Sequence, residues 1–263
     1  MKFSSELDLA IKASLKAGEV VMDVYNSKEF NITRKEDNSP LTLADKLSNK
    51  VILDELSASN IPVLSEESKQ INYNVRCNWQ KLWIIDPIDG TKEFIKKNGE
   101  FTINIALINN SEPTIGVVYV PANKSLYFAE KKLGSFLVNN ISSFEDIKKS
   151  NIRNLSIKND TDVYTIVVSR SHMNEETKQY VQEKMKKFKN VETKSFGSSL
   201  KICKIADGSA NCYPRFGPTM EWDTAAAHCI AEISGCKIFN AINEEKIFYN
   251  KENLLNPFFI VEK

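Results

Sequence analysis

A chain of 263 residues, 42% hydrophobic and 26% charged, is long enough for two modest domains or one large one, and its composition excludes long disorder. Lys+Arg 35 against Asp+Glu 34 leave a formal charge of +1, so no global basic field draws in a nucleic-acid polyanion. The 2 histidines, His172 and His228, exclude a three-histidine metal site within one chain.

The N-terminus carries Glu6 and Asp8 where a signal peptide has an unbroken apolar stretch. No window reaches the roughly 18 apolar residues of a bilayer span, although loose attachment to the inner face of a membrane stays open. Leu7, Ile11, Leu15, Met22 and Tyr25 recur at helical spacing and predict an amphipathic helix ending near Asn26 and Ser27. A second helix follows Ser39 and Pro40, with Thr42 near its start and Leu43, Leu47, Val51 and Leu56 as its apolar face. Short β-rich runs come next, at 63–64, 82–85, 101–108, 116–120 and 125–129, with turn residues such as Asn109, Asn110 and Pro121 between them.

The polar stretch 139–159 marks a domain junction, giving an N-terminal α+β lobe over 1–150 and a C-terminal α/β lobe over 151–263. Beyond it the pattern predicts a strand over 165–168, a Lys-rich helix over 175–188 with a solvated face, helices over 199–206 and 224–233, and a closing strand over 258–261. The fold class is α/β (α+β). The 5 cysteines, Cys77, Cys203, Cys212, Cys229 and Cys236, form no CxxC pair and read as small, reduced, buried side chains of a cytoplasmic enzyme.

Several chemistries lack their residues. There is no GxxxxGK[ST] loop, no GxGxxG after a strand, no HExxH, no GxSxG, and no cysteine with an arginine six positions later. Carboxylates remain. The densest feature is Trp83-Ile84-Ile85-Asp86-Pro87-Ile88-Asp89-Gly90-Thr91, where an apolar strand runs into two acids separated by two residues. Two carboxylates so close repel unless a cation stands between them, and a hard divalent cation such as Mg²⁺ takes oxygen ligands. The Ile88 carbonyl can point inward with both acids, Gly90 permits close backbone approach, and Thr91 opens a following helix. The alternative is a turn whose acids cap that helix. The Asp-x-Asp loop of haloacid-dehalogenase-type phosphatases does not fit, because it separates its acids by one residue. Glu66 follows the run at 63–64. Asp223 opens the 224–233 helix, either as a ligand or as an N-cap. Asp45 lies in the first turn of the second helix, where a capping box with Thr42 would contribute roughly 1 kcal/mol.

In order, DNSPLTLAD, LSEES, WIIDPIDGT and EWDTAAAHCIAEISG resemble the Mg²⁺-dependent, lithium-sensitive phosphatases of the inositol monophosphatase superfamily, over most of the chain. Within it, DGTKEFI, NGEFTINIALI, GVVYVP, SRSH, GSSLK and YPRFGPT are similar to the CysQ-type 3′(2′),5′-bisphosphate nucleotidases. Lys92, Glu93 and Phe94 stand where inositol monophosphatases usually carry Asn-Phe, and Cys236 replaces a usual Gly or Ala. The resemblance implies a layered αβαβα sandwich in two lobes, as a monomer or homodimer. It implies two or three Mg²⁺ per site, with Li⁺ inhibitory: Glu66, Asp86 and the Ile88 carbonyl would hold the first, and Asp86, Asp89 and Asp223 the second. Thr91 and Asp45 would activate water without a phosphoenzyme. Gly90, Thr91, His172, Ser198, Lys201, Arg215 and Asp223 would contact the substrate, with Arg215 on a phosphate that is not cleaved. The substrate so implied is adenosine 3′,5′-bisphosphate, cleaved to AMP and phosphate in sulfate assimilation. Adenylyl sulfate 3′-phosphate is an open second substrate. The alternatives are an inositol monophosphatase or related sugar phosphatase, and a non-catalytic nucleotide or metal sensor.

Overall fold

Apolar runs in the first half of the chain are buried on both faces of one sheet. The computed structural model describes residues 2–27, 33–34, 40–69, 71–155, 162–170 and 173–263. It opens with α1 (Ser5–Asn26), the short pair β1 (Thr33–Arg34) and β2 (Pro40–Leu41), then α2 (Leu43–Leu56), β3 (Val63–Ser65) and α3 (Tyr73–Arg76). There follow β4 (Lys81–Asp89), α4 (Thr91–Ile95), β5 (Thr102–Asn109), β6 (Glu112–Val120), β7 (Ser125–Glu130), β8 (Gly134–Val138), α5 (Phe144–Lys149) and β9 (Arg153–Asn154). Strands β3 to β9 form a 7-stranded sheet in sequence order, antiparallel except for the parallel β3–β4 pair.

Strand residues alternate between two cores. Trp83, Ile85, Ile103, Ile105, Val117 and Tyr119 face α1 and α2, while Leu82, Ile84, Ala106, Val118 and Val120 face the other way. The second half supplies what covers that other face: β10 (Tyr164–Ser169), α6 (Glu175–Lys187), β11 (Val191–Phe196), α7 (Leu200–Ala206), β12 (Cys212–Arg215), α8 (Glu221–Ile233), β13 (Lys237–Asn240) and β14 (Phe259–Glu262). Its strands make a mixed 5-stranded sheet of order β11-β10-β12-β14-β13. Helices α7 and α8 lie between the two sheets, and α6 covers the outer face of the second, so the layers run αβαβα. Helix α8 crosses β6 at Gly116, where an added Cβ would lie 2.2 Å from the Ala226 carbonyl oxygen.

The expected helices at 199–206 and 224–233 correspond to α7 and α8, and the Lys-rich helix is α6 with its predominantly exposed surface. Of the expected apolar face of the second helix, Leu56 is buried and Val51 packs against the core, but the other two positions differ. Leu43 and Leu47 are exposed, and the buried face is Ala44, Asp45, Ser48, Ile52 and Leu56. Helix α2 is turned so that its polar pair reaches the acid-bearing end of β4, where Ser48 Oγ donates to the Pro87 carbonyl at 2.8 Å. The stretch read as a polar junction contains α5 and β9. Cys203, Cys212, Cys229 and Cys236 are buried free thiols and Cys77 is exposed. Among the described residues no helix is long and apolar enough to cross a membrane.

Candidate active site

Acids three positions apart on a regular strand would point to opposite faces. In β4 they do not behave as a regular strand requires. Asp86 pairs with Asn104 and Asp89 with Thr102, so three steps on β4 oppose two on β5. The extra residue is a bulge that re-aims Asp89 toward Asp86. Helix α8 brings Asp223 to the same place, its Oδ2 accepting from the Met220 backbone N–H at 2.8 Å. Carboxylate oxygens of Asp86, Asp89 and Asp223 then lie within 4.8 Å of one another. Glu66 arrives from the end of β3, where its N–H donates to the Ile85 carbonyl at 3.3 Å, and its side chain hydrogen-bonds Asp86.

Burial, followed by the charges of Glu66, Asp89 and Asp223, holds the Asp86 carboxyl well above the usual carboxylate range. Asp223 is raised well above that range too, by burial and then by Asp89 and Glu66, with Met220 N–H and Arg215 opposing. Asp89 is raised by burial against the pull of Lys201 and the Ser199 N–H. Converging carboxylates whose charged forms are disfavoured by burial and then by one another fit a hard divalent cation, which supplies the positive charge they lack.

Gly90 joins β4 to α4 at φ 91, a conformation open to glycine. A Cβ there would stand 3.2 Å from the Glu100 carbonyl oxygen and 3.3 Å from Ser198 Cβ. The turn presents Thr91, whose Oγ1 donates to Asp45 Oδ1 at 3.3 Å and lies 3.4 Å from the Ile88 carbonyl oxygen. Asp45 Oδ2 accepts from Thr42 N at 2.7 Å and Thr42 Oγ1 at 2.6 Å. The Ile88 side chain is buried in the core that α1 and α2 share with the sheet.

Above these groups opens a cavity of about 270 Å³, lined by Glu66, Asp89, Thr91, Lys201, Arg215 and Asp223 among others. Gly90 and Ser198 also line it, whereas Asp45 and Asp86 are closed off from solvent. Lys201 is buried and donates to the Ser198 carbonyl at 2.6 Å. Burial brings its ammonium down to about 8, against the pull of Asp89 and with the push of Arg215. Arg215 Nη2 donates to the Pro218 carbonyl at 2.9 Å, and its buried Nε has no hydrogen-bond partner. Arg170 pairs with Glu100 at 2.8 Å. His228 is buried in α8 against the Tyr249 hydroxyl at 2.8 Å, and burial lowers it to about 3. His172 lies outside the described residues.

The sequence profile of the inositol monophosphatase family matches residues 4–257. The chain belongs to the inositol monophosphatase family. Among curated members of that family it is 41% identical over 259 residues to the 3′(2′),5′-bisphosphate nucleotidase CysQ of Shigella flexneri, covering 97% of this chain and 98% of that one. It is 40% identical to the protein of the same name from Escherichia coli K12, with the same coverage. The crystal structure of CysQ from Bacteroides thetaiotaomicron, described as a bacterial member of the inositol monophosphatase family, superposes with a TM-score of 0.90 at 47% identity, covering 99% of this chain and 97% of that one. The Thermotoga maritima inositol monophosphatase shares the fold, with a TM-score of 0.74 at 22% identity over 98% of this chain and 92% of that one.

In this member of the inositol monophosphatase family, sequence reasoning missed the residues that hold Asp89. The Ser199 N–H donates to Asp89 Oδ2, and Asn104 Nδ2 lies 3.5 Å from the same oxygen. Asn104 Oδ1 accepts from Ser199 Oγ at 2.8 Å and Thr102 Oγ1 at 3.0 Å. All of Thr102, Asn104 and Ser199 are buried. The one signal was the pair of polar residues Thr102 and Asn104 on the same face of an otherwise apolar strand.

Proposed function

We propose that the chain is a 3′(2′),5′-bisphosphate nucleotidase that removes the 3′-phosphate of adenosine 3′,5′-bisphosphate, leaving AMP and inorganic phosphate, with adenylyl sulfate 3′-phosphate as a second substrate. The observation that carries this reading is that one cavity is lined both by the carboxylates Glu66, Asp89 and Asp223 and by a cationic pair, Lys201 and Arg215. A substrate with two phosphates needs both sets, one at the bond that breaks and one at the phosphate that stays. The near full-length likeness to proteins named as bisphosphate nucleotidases supports it.

Glu66, Asp86, the Ile88 carbonyl, Asp89 and Asp223 would hold two or three Mg²⁺, for which Li⁺ would compete. Bound there, Mg²⁺ supplies Lewis-acid stabilisation of the phosphoryl oxygens and lowers the pKa of attacking water. The protein's own proton path is short. With the Thr91 hydroxyl proton directed to Asp45 rather than to the Ile88 carbonyl, its oxygen lone pairs would accept from water. As water passes its proton to Thr91 and Thr91 its own to Asp45, the water oxygen would bond to phosphorus while the phosphorus–3′-oxygen bond breaks and that oxygen takes a proton from solvent, so no bond to the enzyme forms. Arg215 would hold the 5′-phosphate, with Ser198 and Lys201 beside it, and His172 would contact the nucleoside. The enzyme would act in the cytoplasm, in sulfate assimilation, as a monomer or homodimer.

The test is phosphate release from adenosine 3′,5′-bisphosphate, adenylyl sulfate 3′-phosphate, inositol 1-phosphate and fructose 1,6-bisphosphate. Adenosine 3′,5′-bisphosphate is expected to have the highest kcat/KM. A preference for inositol 1-phosphate would replace the nucleotidase reading with that of an inositol monophosphatase.

A further inference from the structure

Glu93 is the third residue of α4, and its side chain lines the same cavity while only 8% of the residue is exposed. Other buried acids have their oxygens engaged. Glu221 accepts from the Asn250 and Lys251 N–H groups and from Lys251 Nζ. Asp207 accepts from Tyr127 and the Ser209 N–H. No hydrogen bond or ion pair reaches the Glu93 carboxylate among the described residues, and its oxygens are not among the sealed polar atoms without a partner, so they open onto the cavity. It also stands outside the group formed by Asp86, Asp89 and Asp223. Its charge is nevertheless felt at Asp89 and at Lys201, which puts it near the reacting end of the cavity.

Room for this side chain is made by a residue that has none. An added Cβ at Gly197 would lie 2.7 Å from Glu93 Cγ and 2.6 Å from the Glu100 carbonyl oxygen. A carboxylate that faces a bound phosphate is repelled by it, and one that a ligand covers without giving it a donor is costly. In a site that binds phosphates, such a group is best satisfied when the bound ligand brings a neutral donor to it. On a sugar phosphate the nearest such donor is the hydroxyl on the carbon next to the phosphate-bearing one.

We infer that Glu93 is a specificity-determining residue whose carboxylate accepts a hydrogen bond from the sugar hydroxyl adjacent to the phosphate that is cleaved. The inference rests on the nucleotidase reading and deepens it: the ribose 2′-hydroxyl of the 3′-phosphate substrate is the group recognised. A site built around a hydroxyl discriminates strongly against the analogue that lacks it, because the buried acceptor is then left unpaired.

The experiment compares kcat/KM for adenosine 3′,5′-bisphosphate and its 2′-deoxy counterpart in the wild type, Glu93→Ala and Glu93→Gln. The wild type is expected to favour the ribose substrate by about tenfold or more, the range of a hydrogen bond to a charged group. In Glu93→Ala that ratio should fall toward one, with Glu93→Gln between. Glu93→Gln keeps the side-chain shape and carries the test if the alanine variant does not fold. A wild-type ratio near one, or a ratio unchanged in the variants, overturns the inference while leaving the nucleotidase reading intact. A wild type that releases phosphate from inositol 1-phosphate but from neither nucleotide overturns both.

Discussion

Thr91 Oγ1 lies 3.3 Å from Asp45 Oδ1, across 46 residues of chain, while the other oxygen of that carboxylate caps α2 through Thr42. The two readings of Asp45 available from sequence, helix cap and proton acceptor, thus belong to different oxygens of one group.

The two uses separate by mutation. Thr42→Ala removes a cap donor and should lower stability by roughly 1 kcal/mol, seen as a fall in Tm. Its turnover should drop less than about tenfold, below the usual range of about 10–100-fold for a residue that supports another. Asp45→Asn retains an acceptor oxygen but cannot take up the proton, so its turnover should drop more than about a hundredfold, beyond that range. Equal effects of the two substitutions on kcat would remove Asp45 from the proton path.

Asp89 is held by the Ser199 N–H, at the wall of the cavity, and by Asn104 behind it. Asn104→Ala and Ser199→Ala should each lower the affinity for Mg²⁺ or the turnover by about 10–100-fold. The readout is a Mg²⁺ titration of activity, in which a positioning role shifts the half-saturating Mg²⁺ concentration. A fall in Tm with an unchanged titration curve would make the network structural only.

This network shows where the sequence stops being legible. The acids, Thr91, Lys201 and Arg215 stand in local motifs, and the main helices follow from apolar spacing. The face of α2 is legible at Val51 and Leu56 but not at its start, where Leu43 and Leu47 are exposed and the buried positions include Asp45 and Ser48, whose partners Thr91 and Pro87 lie far along the chain. The bulge between Asp86 and Asp89 is a property of pairing with β5, invisible along β4 alone. The strands β11, β12 and β13 were missed because they are short or exposed, with Lys and Glu in β11 and Pro in β12.

The raised carboxyls of Asp86 and Asp223 make cation binding depend on pH. With folded values well above the ordinary 3.8, the native state holds protons that the unfolded chain releases. Their contribution to metal-free stability is therefore present below that ordinary value and is lost as pH rises through the raised folded values. A divalent cation displaces those protons, so its stabilisation grows with pH. The Mg²⁺-induced rise in Tm should be larger near pH 8 than near pH 5. Surface pairs of opposite sign, such as Glu112 with Lys131, cancel in that difference. A pH-independent increment would contradict the carboxylate site.

Arg215 separates two phosphates from one. Arg215→Ala should reduce kcat/KM for adenosine 3′,5′-bisphosphate by about tenfold or more, as for loss of a charge-assisted hydrogen bond, with a smaller loss on a simple monoester. Equal losses on both would remove Arg215 from recognition of the second phosphate.

The most direct measurement strips the protein with chelator, adds Mg²⁺ and follows inorganic phosphate and AMP from adenosine 3′,5′-bisphosphate, in wild type and in Asp89→Asn. The expected result is equimolar phosphate and AMP that appear only with Mg²⁺ and diminish with Li⁺. In Asp89→Asn, turnover should fall more than about a hundredfold while the Tm stays within a few degrees. Turnover without a divalent cation, or an Asp89→Asn protein as active as the wild type, would contradict a metal-dependent nucleotidase built on these carboxylates.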